Sequence, residues 1–215
     1  MSRKKTKVKV LPTILTAIAV FVGVLAASII LQLLFSPDFK GFGRDSGSSD
    51  DPQKYQVFII GDSLTYGASK EIEKAIKNTT IEAEVGRNMA EGVEILRDKS
   101  DTGGLSKDAI IVVCLAHNIT GTTLQDAQTI VDMIEPGQSL VMMTGHGRES
   151  MEPVNELIRS FPNIYPFVTV ADWDSTIAQS PSLLADDGVH ISGNRGNALY
   201  ADLILRAIEA TQPKP

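Results

Sequence analysis

The sequence predicts an α/β domain in which helices cover both faces of a parallel sheet. Short apolar runs typical of buried strands alternate along the chain with segments whose apolar residues recur at helical spacing. The composition, with 43% apolar and 21% charged residues, is that of a globular protein. Regular alternation of strand and helix favours parallel strands, because each helix carries the chain back across the sheet.

The strands and helices can be placed in order along the chain. Strand-like runs occupy residues 55–60, 81–85, 109–116, 139–145 and 165–171. Helical patterns lie between them, over residues 71–77, 89–98, 124–134 and 154–161. A last helix is predicted over 195–210, because its apolar residues share one face: Leu199, Leu203, Ile204, Ala207 and Ile208.

A basic segment and then a long apolar segment precede this domain. Residues 1–10 carry five basic side chains and no acid, and residues 11–35 contain no charge. A helix of that length crosses a hydrocarbon core of about 30 Å. We expect one transmembrane helix over 11–35, with residues 1–10 in the cytoplasm and the domain outside, because basic residues stay on the cytoplasmic side.

A cleaved signal peptide is the alternative for this segment, since it also has a basic start and an apolar middle. The apolar run exceeds the usual length of about 7 to 15 residues, and its small residues, at 26–28, lie in its middle. An uncleaved anchor is therefore favoured. Residues 36–54 are rich in Gly, Ser, Pro and charge, which predicts a flexible linker before a domain at 55–215.

Charge and cysteine content exclude some functions. The net charge is −6, but without the five basic residues of the first ten, 15 basic side chains face 26 acidic ones, a net charge of −11. Such a body repels the phosphates of nucleic acid, so no nucleic-acid partner is expected. The single cysteine, Cys114, excludes an intrachain disulfide and a cysteine-based metal site, and its apolar surroundings predict a buried strand residue.

Polar residues follow the predicted strands at the points where they end. Gly-Asp-Ser-Leu at 61–64 follows the first strand, Val-Gly-Arg-Asn at 85–88 the second, and His-Asn at 117–118 the third. Asp-Asp-Gly-Val-His-Ile-Ser at 186–192 precedes the last helix. Because the carboxyl ends of parallel strands form a common crevice, we expect these segments to meet there.

The four segments together contain what acyl transfer requires. Ser63 is the candidate nucleophile, His190 the candidate base and then acid, and Asp187 the carboxylate that orients the imidazole. The backbone N–H groups of Ser63 and Gly86 and the side-chain amide of Asn118 are the candidate oxyanion donors. The alternatives are structural: a helix N-cap for Ser63, and turn residues for the others.

These motifs resemble the four blocks of the SGNH, or GDSL, hydrolase superfamily of esterases, lipases and carbohydrate O-acyl enzymes. The resemblance covers residues 55–211. Within the superfamily, VGRN at 85–88 and DGVHIS at 187–192 are most similar to the extracytoplasmic SGNH domains of peptidoglycan and polysaccharide O-acetyltransferases. The resemblance implies a three-layer α/β/α sandwich with a five-stranded parallel sheet, and no metal or organic cofactor.

The third block departs from the family pattern. It is usually Gly-x-Asn-Asp or Gly-x-Asn-Gly, whereas this chain has Ala116-His117-Asn118-Ile119. The asparagine is kept, which favours its oxyanion role, but a different loop shape is expected around it.

Other residues are weaker candidates. Arg87, His146 and Arg148 are candidates for substrate binding, although no carboxylate lies at a spacing that would make His146 a base. Trp173 is expected to be a half-buried packing residue. The three histidines form no HExxH-like pattern, so zinc catalysis is not expected.

The resulting hypothesis is a membrane-anchored serine esterase or O-acyltransferase that acts outside the cytoplasm on acyl, in particular acetyl, esters of cell-wall or surface carbohydrate. Since only one membrane helix is predicted, transfer would require a separate acyl-donor membrane protein. The alternatives are a lipase or lysophospholipase, and a catalytically silent binding module with the same fold.

Overall fold

The computed structural model describes residues 55–211 of the 215-residue chain. Five strands form one sheet in the order β2-β1-β3-β4-β5, and every neighbouring pair is parallel. The strands are β1 (Val57–Gly61), β2 (Thr79–Ala83), β3 (Ile110–Cys114), β4 (Ser139–Met143) and β5 (Val168–Ala171). The predicted α/β class and five-stranded parallel sheet are confirmed.

Six α-helices lie in the described part of the chain. They are α1 (Ser63–Ala75), α2 (Met89–Asp101), α3 (Thr123–Asp132), α4 (Glu152–Ser160), α5 (Trp173–Ala178) and α6 (Gly193–Thr211). The core has two halves: α1, α5 and α6 pack on one face of the sheet, and α2, α3 and α4 on the other. Alternate residues of β1 point into each half, Val57 and Ile59 into one and Phe58 and Ile60 into the other. This is the implied three-layer sandwich.

Most element boundaries differ from the predicted ones by one to three residues, and the start of the first helix differs by more. The first helix begins at Ser63, eight residues earlier than its apolar pattern indicates, directly after β1. The second strand ends at Ala83 instead of residue 85. The short helix α5 was not predicted, and its first residue, Trp173, is fully buried against Tyr200 rather than half-buried.

The predicted basic segment, membrane helix and linker, at 1–10, 11–35 and 36–54, lie outside the described residues. Within residues 55–211, no helix has the length and apolar character needed to span a membrane.

Cys114 is expected to be unreactive in the folded protein. It ends β3, is 2% exposed, and burial raises the pKa of its thiol to about 12. At pH 8 its thiolate fraction is therefore about a thousandfold below that of a free cysteine. Labelling with Ellman's reagent should be slow in native buffer and fast in urea. Fast labelling of the native protein would contradict this burial.

Candidate active site

The turn between β1 and α1 places Ser63 at the carboxyl edge of the sheet. Asp62 is the N-cap of α1, because its carboxylate accepts a hydrogen bond from the backbone N–H of Leu64 at 3.0 Å. The chain reverses so tightly that a Cβ at Gly61 would collide with the side chain of Thr65. The capping role that was the alternative for Ser63 thus belongs to Asp62, and the hydroxyl of Ser63 is left for other contacts.

Ser63 meets His190 although 127 positions separate them in the sequence. Ser63 Oγ lies 3.1 Å from His190 Nε2, and His190 Nδ1 lies 2.6 Å from Asp187 Oδ2. A carboxylate can only accept, so Nδ1 of the neutral ring carries the proton and Nε2 is left to accept the hydroxyl hydrogen of Ser63. The structure brings the candidate nucleophile, base and carboxylate into one chain of contacts.

The carboxylate of Asp187 also fixes the loop that carries His190. Its Oδ1 accepts from the backbone N–H groups of Val189, at 3.0 Å, and His190, at 2.9 Å. The hydrogen bond from the His190 ring, followed by these two, lowers the pKa of the Asp187 carboxyl well below its ordinary value. Both side chains of the pair are about half exposed, so the site is open to solvent.

Gly86 and Asn118 lie in neighbouring loops that are hydrogen-bonded to each other. Asn118 Nδ2 donates to the backbone carbonyl of Arg87 at 2.9 Å, and because an amide has two N–H bonds, one remains for a ligand. Gly86 has a φ of +86°, a conformation that favours glycine. Among the described residues, the backbone N–H groups of Ser63 and Gly86 donate to no protein acceptor.

The two arginines proposed for substrate binding differ in their surroundings. Arg87 donates to the carbonyl of Glu82 at 2.6 Å and to the carboxylate of Glu84 at 3.2 Å, and its side chain is only 12% exposed. It therefore braces the loop that contains Gly86. Arg148 is exposed and forms no ion pair within residues 55–211, so its guanidinium is the freer of the two to meet an anion.

The unusual third block has a structural role that the sequence analysis missed. His117 is buried, its Nδ1 lies 3.0 Å from Asp62 Oδ2, and its Nε2 accepts from the backbone N–H of His146 at 3.3 Å. Because Nε2 accepts, the ring is neutral and Nδ1 donates to Asp62. His117 thus ties the N-cap that precedes Ser63 to the loop after β4. His117 occupies the variable position of the block, so no departure from the family pattern pointed to this role.

His146 does have a carboxylate partner, contrary to the sequence analysis. Its Nδ1 lies 2.8 Å from Asp174 Oδ1, in the first turn of the unpredicted helix α5. The next residue, Gly147, packs so closely that a Cβ there would collide with the backbone carbonyl of Gly188. The loop after β4 therefore supports the loop that carries Asp187 and His190.

Arg159 anchors this second histidine–carboxylate pair. Its Nη2 donates to Asp174 at 2.8 Å, and its Nε and Nη2 bind both oxygens of Asp172 at 3.1 and 3.0 Å. Burial acts to raise the pKa of the Asp172 carboxyl, but the hydrogen bonds from Arg159, Ser175 and Thr144 outweigh it and hold the pKa at about 2. The carboxylate of Asp172, which holds Arg159 beside Asp174, thus stays charged at neutral pH.

Metal ligands are not clustered at the site. Across residues 55–211, no group of three or more His, Cys, Asp or Glu side chains is arranged to hold a metal ion.

The fold and the order of the motifs are similar to those of the SGNH or G-D-S-L hydrolases. A lipolytic protein of the G-D-S-L family from Veillonella parvula superposes with a TM-score of 0.60, over 72% of this chain and 98% of that one, at 15% identity. At that identity the likeness is one of fold. No protein-family model matches the chain.

More specific similarities are to peptidoglycan O-acetyltransferases. The C-terminal catalytic domain of peptidoglycan O-acetyltransferase A from Streptococcus pneumoniae, solved with a methylsulfonyl adduct, superposes with a TM-score of 0.68 at 25% identity, over 75% of this chain and 96% of that one. YrhL of Bacillus subtilis, a candidate peptidoglycan O-acetyltransferase, is 24% identical over 181 residues, 80% of this chain and 28% of that protein. The chain spans about a quarter of the length of the curated relatives it matches.

These relatives confirm the resemblance and the enzyme class predicted from the sequence. The structural neighbours include an O-acetyltransferase catalytic domain and G-D-S-L hydrolases, and the curated relatives are O-acetyltransferases.

Proposed function

We propose that this chain is a serine enzyme that cleaves or transfers acyl groups, acetyl above all, on cell-wall or surface carbohydrate. The observation that carries the proposal is the chain of contacts from Ser63 Oγ to His190 Nε2 at 3.1 Å and from His190 Nδ1 to Asp187 Oδ2 at 2.6 Å. The names of the relatives, which are peptidoglycan O-acetyltransferases, support a cell-wall carbohydrate as the substrate.

The reaction has two steps. Ser63 Oγ attacks the ester carbonyl while His190 Nε2 takes the hydroxyl proton, and Asp187 stabilises the imidazolium that forms. His190 then gives the proton to the departing alcohol oxygen, and the acyl group remains on Ser63. In the second step His190 deprotonates water or a sugar hydroxyl, which attacks the acyl carbonyl. The bond from that carbonyl to Ser63 Oγ then breaks, His190 returns the proton to Oγ, and an acid or a new ester is released.

Three donors are proposed to stabilise the oxyanion of each step. The Ser63 N–H lies at the start of α1, where backbone N–H groups lack helical partners. The Gly86 N–H and the second N–H of Asn118 are free of protein acceptors in the described residues. Since Asn118 also holds the carbonyl of Arg87, it keeps the Gly86 loop in place as it donates.

The solvent exposure of the proposed catalytic residues favours a carbohydrate over a lipid ester. A long acyl chain needs an apolar channel beside the nucleophile, but His190 and Asp187 are about half exposed at an open edge. An apolar cavity of about 410 Å³ lies instead at the opposite edge, where Ile110 and Ser139 begin β3 and β4. The open carboxyl edge of the sheet leaves room for a carbohydrate polymer to lie across the site.

The membrane anchor remains part of this proposal. The apolar segment at 11–35 would hold the domain at the outer surface of the cell membrane, close to the wall. A transferase role then requires an acyl donor on that side, which a separate membrane protein would supply. Hydrolysis requires none.

The reaction type can be read directly by mass spectrometry. The full chain would be incubated with acetylated peptidoglycan fragments, and separately with unacetylated fragments plus p-nitrophenyl acetate. Loss of 42 Da from the first set (about one acetyl group) indicates hydrolysis, and gain of about the same mass by the second indicates transfer. No mass change in either set, with faster cleavage of long-chain p-nitrophenyl esters than of the acetate, would overturn the proposed substrate.

Asn118→Ala is expected to lower kcat by about 10²- to 10³-fold, because one oxyanion donor is lost. KM for a small ester should change much less, since the donor acts mainly on the developing charge. Thr120→Ala, in the exposed end of the same loop, is the matched control. A loss below about tenfold, or one accompanied by a large fall in Tm, would remove Asn118 from the oxyanion role.

A further inference from the structure

A groove of about 660 Å³, lined largely by polar residues, lies between the N-terminal half of α1 and the start of α6. This volume is within the range of roughly 300–1,000 Å³ typical of small-molecule sites. Its walls start at the catalytic pair: α1 begins with Ser63, and α6 begins three residues after His190. The side chains and backbone that line it include Tyr66, Gly67, Lys70, Glu71, Asn194 and Asn197.

The α1 wall lies on the same helix face as Ser63. Residues three, four and seven positions apart share one face of a helix, so Tyr66, Gly67 and Lys70 follow Ser63 along roughly 10 Å of α1. The groove therefore leads away from the nucleophile, and a molecule held in it would extend from the reacting ester.

Tyr66 is the aromatic residue of this groove. Its side chain is exposed, at 62% for the residue, and its phenol hydroxyl has no hydrogen-bond partner in the described part of the chain. The faces of sugar rings carry C–H groups, which pack against the electron-rich face of an aromatic ring. An exposed tyrosine one helical turn from the nucleophile is thus placed to support a sugar ring next to the reacting one.

Gly67 leaves the base of the α1 wall, which is the floor of the groove, without a side chain. Glycine weakens a helix interior relative to alanine, so its presence within α1 has a cost in stability. Packing does not explain it, because a Cβ at Gly67 would have no atom of the described residues within 4 Å. The missing side chain lets a ligand approach the helix backbone.

Two asparagines form the opposite wall. Asn197 Nδ2 donates to the carbonyl of Gly67 at 3.1 Å, which ties the walls together and leaves its carbonyl oxygen facing no protein donor among the described residues. Asn194 is exposed, and its amide has no partner there. Amides both donate and accept, as sugar hydroxyls do.

We propose that this groove is a glycan subsite, in which the sugar adjacent to the ester-bearing one stacks on Tyr66 and bonds to Asn194 and Asn197. The inference rests on the proposed function and extends it: the enzyme reads an oligosaccharide rather than a single acetylated sugar. Selectivity for longer fragments would then come from the α1–α6 side of the site.

The test compares two esters in the full chain. The readout is the ratio of kcat/KM for an acetylated tetrasaccharide fragment of peptidoglycan to that for p-nitrophenyl acetate. Tyr66→Ala is expected to lower this ratio by about tenfold or more, mainly through KM for the fragment, and Tyr66→Phe to restore it. Ile164→Ala, which removes an equally exposed apolar side chain from another part of the domain, is the control.

Gly67→Ala provides an independent readout. It should raise Tm by about 2–4 °C, because alanine favours the helix, while it lowers the same ratio by filling the floor. A lower Tm would show that packing requires the glycine, and would contradict the argument.

The outcomes distinguish an error in the proposed glycan subsite from an error in the proposed catalytic reaction. If Tyr66→Ala and Gly67→Ala keep the wild-type ratio while a fluorophosphonate still labels Ser63, the subsite is wrong and the proposed catalysis stands. If the wild-type chain is neither labelled nor active on either ester, both are wrong.

Discussion

Ser63→Ala is expected to lower ester turnover by a factor on the order of 10⁶, with Tm within about 2 °C of the wild type. The hydroxyl is the attacking group, and its hydrogen-bonding contact in the described structure is with His190, not with the fold. The cap of α1 is supplied by Asp62, so the helix keeps its start without the serine hydroxyl. Alanine is also favourable within a helix.

Fluorophosphonate labelling with peptide mapping tests directly whether Ser63 acts as a nucleophile. The wild-type chain should be labelled on Ser63, and Ser63→Ala should not be labelled. Ser160→Ala is the control, because that hydroxyl bonds to the carbonyl of Leu157 in α4, on the other face of the sheet. An unlabelled wild-type chain would instead indicate a binding module that retains the fold.

Asp187→Asn is expected to lower kcat by about 10⁴-fold. The carboxylate accepts from His190 Nδ1 and so leaves Nε2 as the acceptor for Ser63. An amide can present N–H groups to Nδ1, which favours the opposite tautomer, with the proton on Nε2. The ring then cannot take the proton of Ser63.

Asparagine is the informative replacement because it can keep the loop intact. Its carbonyl oxygen can still accept from the backbone N–H groups of Val189 and His190, which donate to Oδ1 of Asp187 in the wild-type chain. Kinetics and Tm would be measured together, with the exposed neighbour Asp186→Asn as the control. Retention of more than about a tenth of the wild-type kcat would remove Asp187 from the proposed catalytic role.

The elements that the sequence predicted well are those with long apolar patterns. β1, β3 and β4 are buried on both faces, and α6 keeps helical periodicity over most of its 19 residues. The start of α1 was missed because Gly-Asp-Ser is typical of a turn. The six residues of α5 are too few to show a helical period.

In the candidate site, too, residues within a local sequence motif could be predicted, and most contacts between distant segments could not. The contacts among Ser63, Asp187 and His190 could be expected because each residue occupies a motif at a strand end or before a helix. The contacts of His117 with Asp62 and of His146 with Asp174 could not, since 55 and 28 positions separate the partners and no local pattern connects them. Only the packing of the loops at the carboxyl edge brings these residues together.

The distance in sequence between Ser63 and His190 also determines when the proposed catalytic contact can form. The nucleophile belongs to the first strand–helix unit of the domain, and its base precedes the last helix. Closing so long a loop is favourable only when the sheet between them has formed. A nascent or partly unfolded chain therefore lacks the contact between Ser63 and His190, and under the proposed function esterase activity would appear late in folding, as a single event that reports completion of the whole domain.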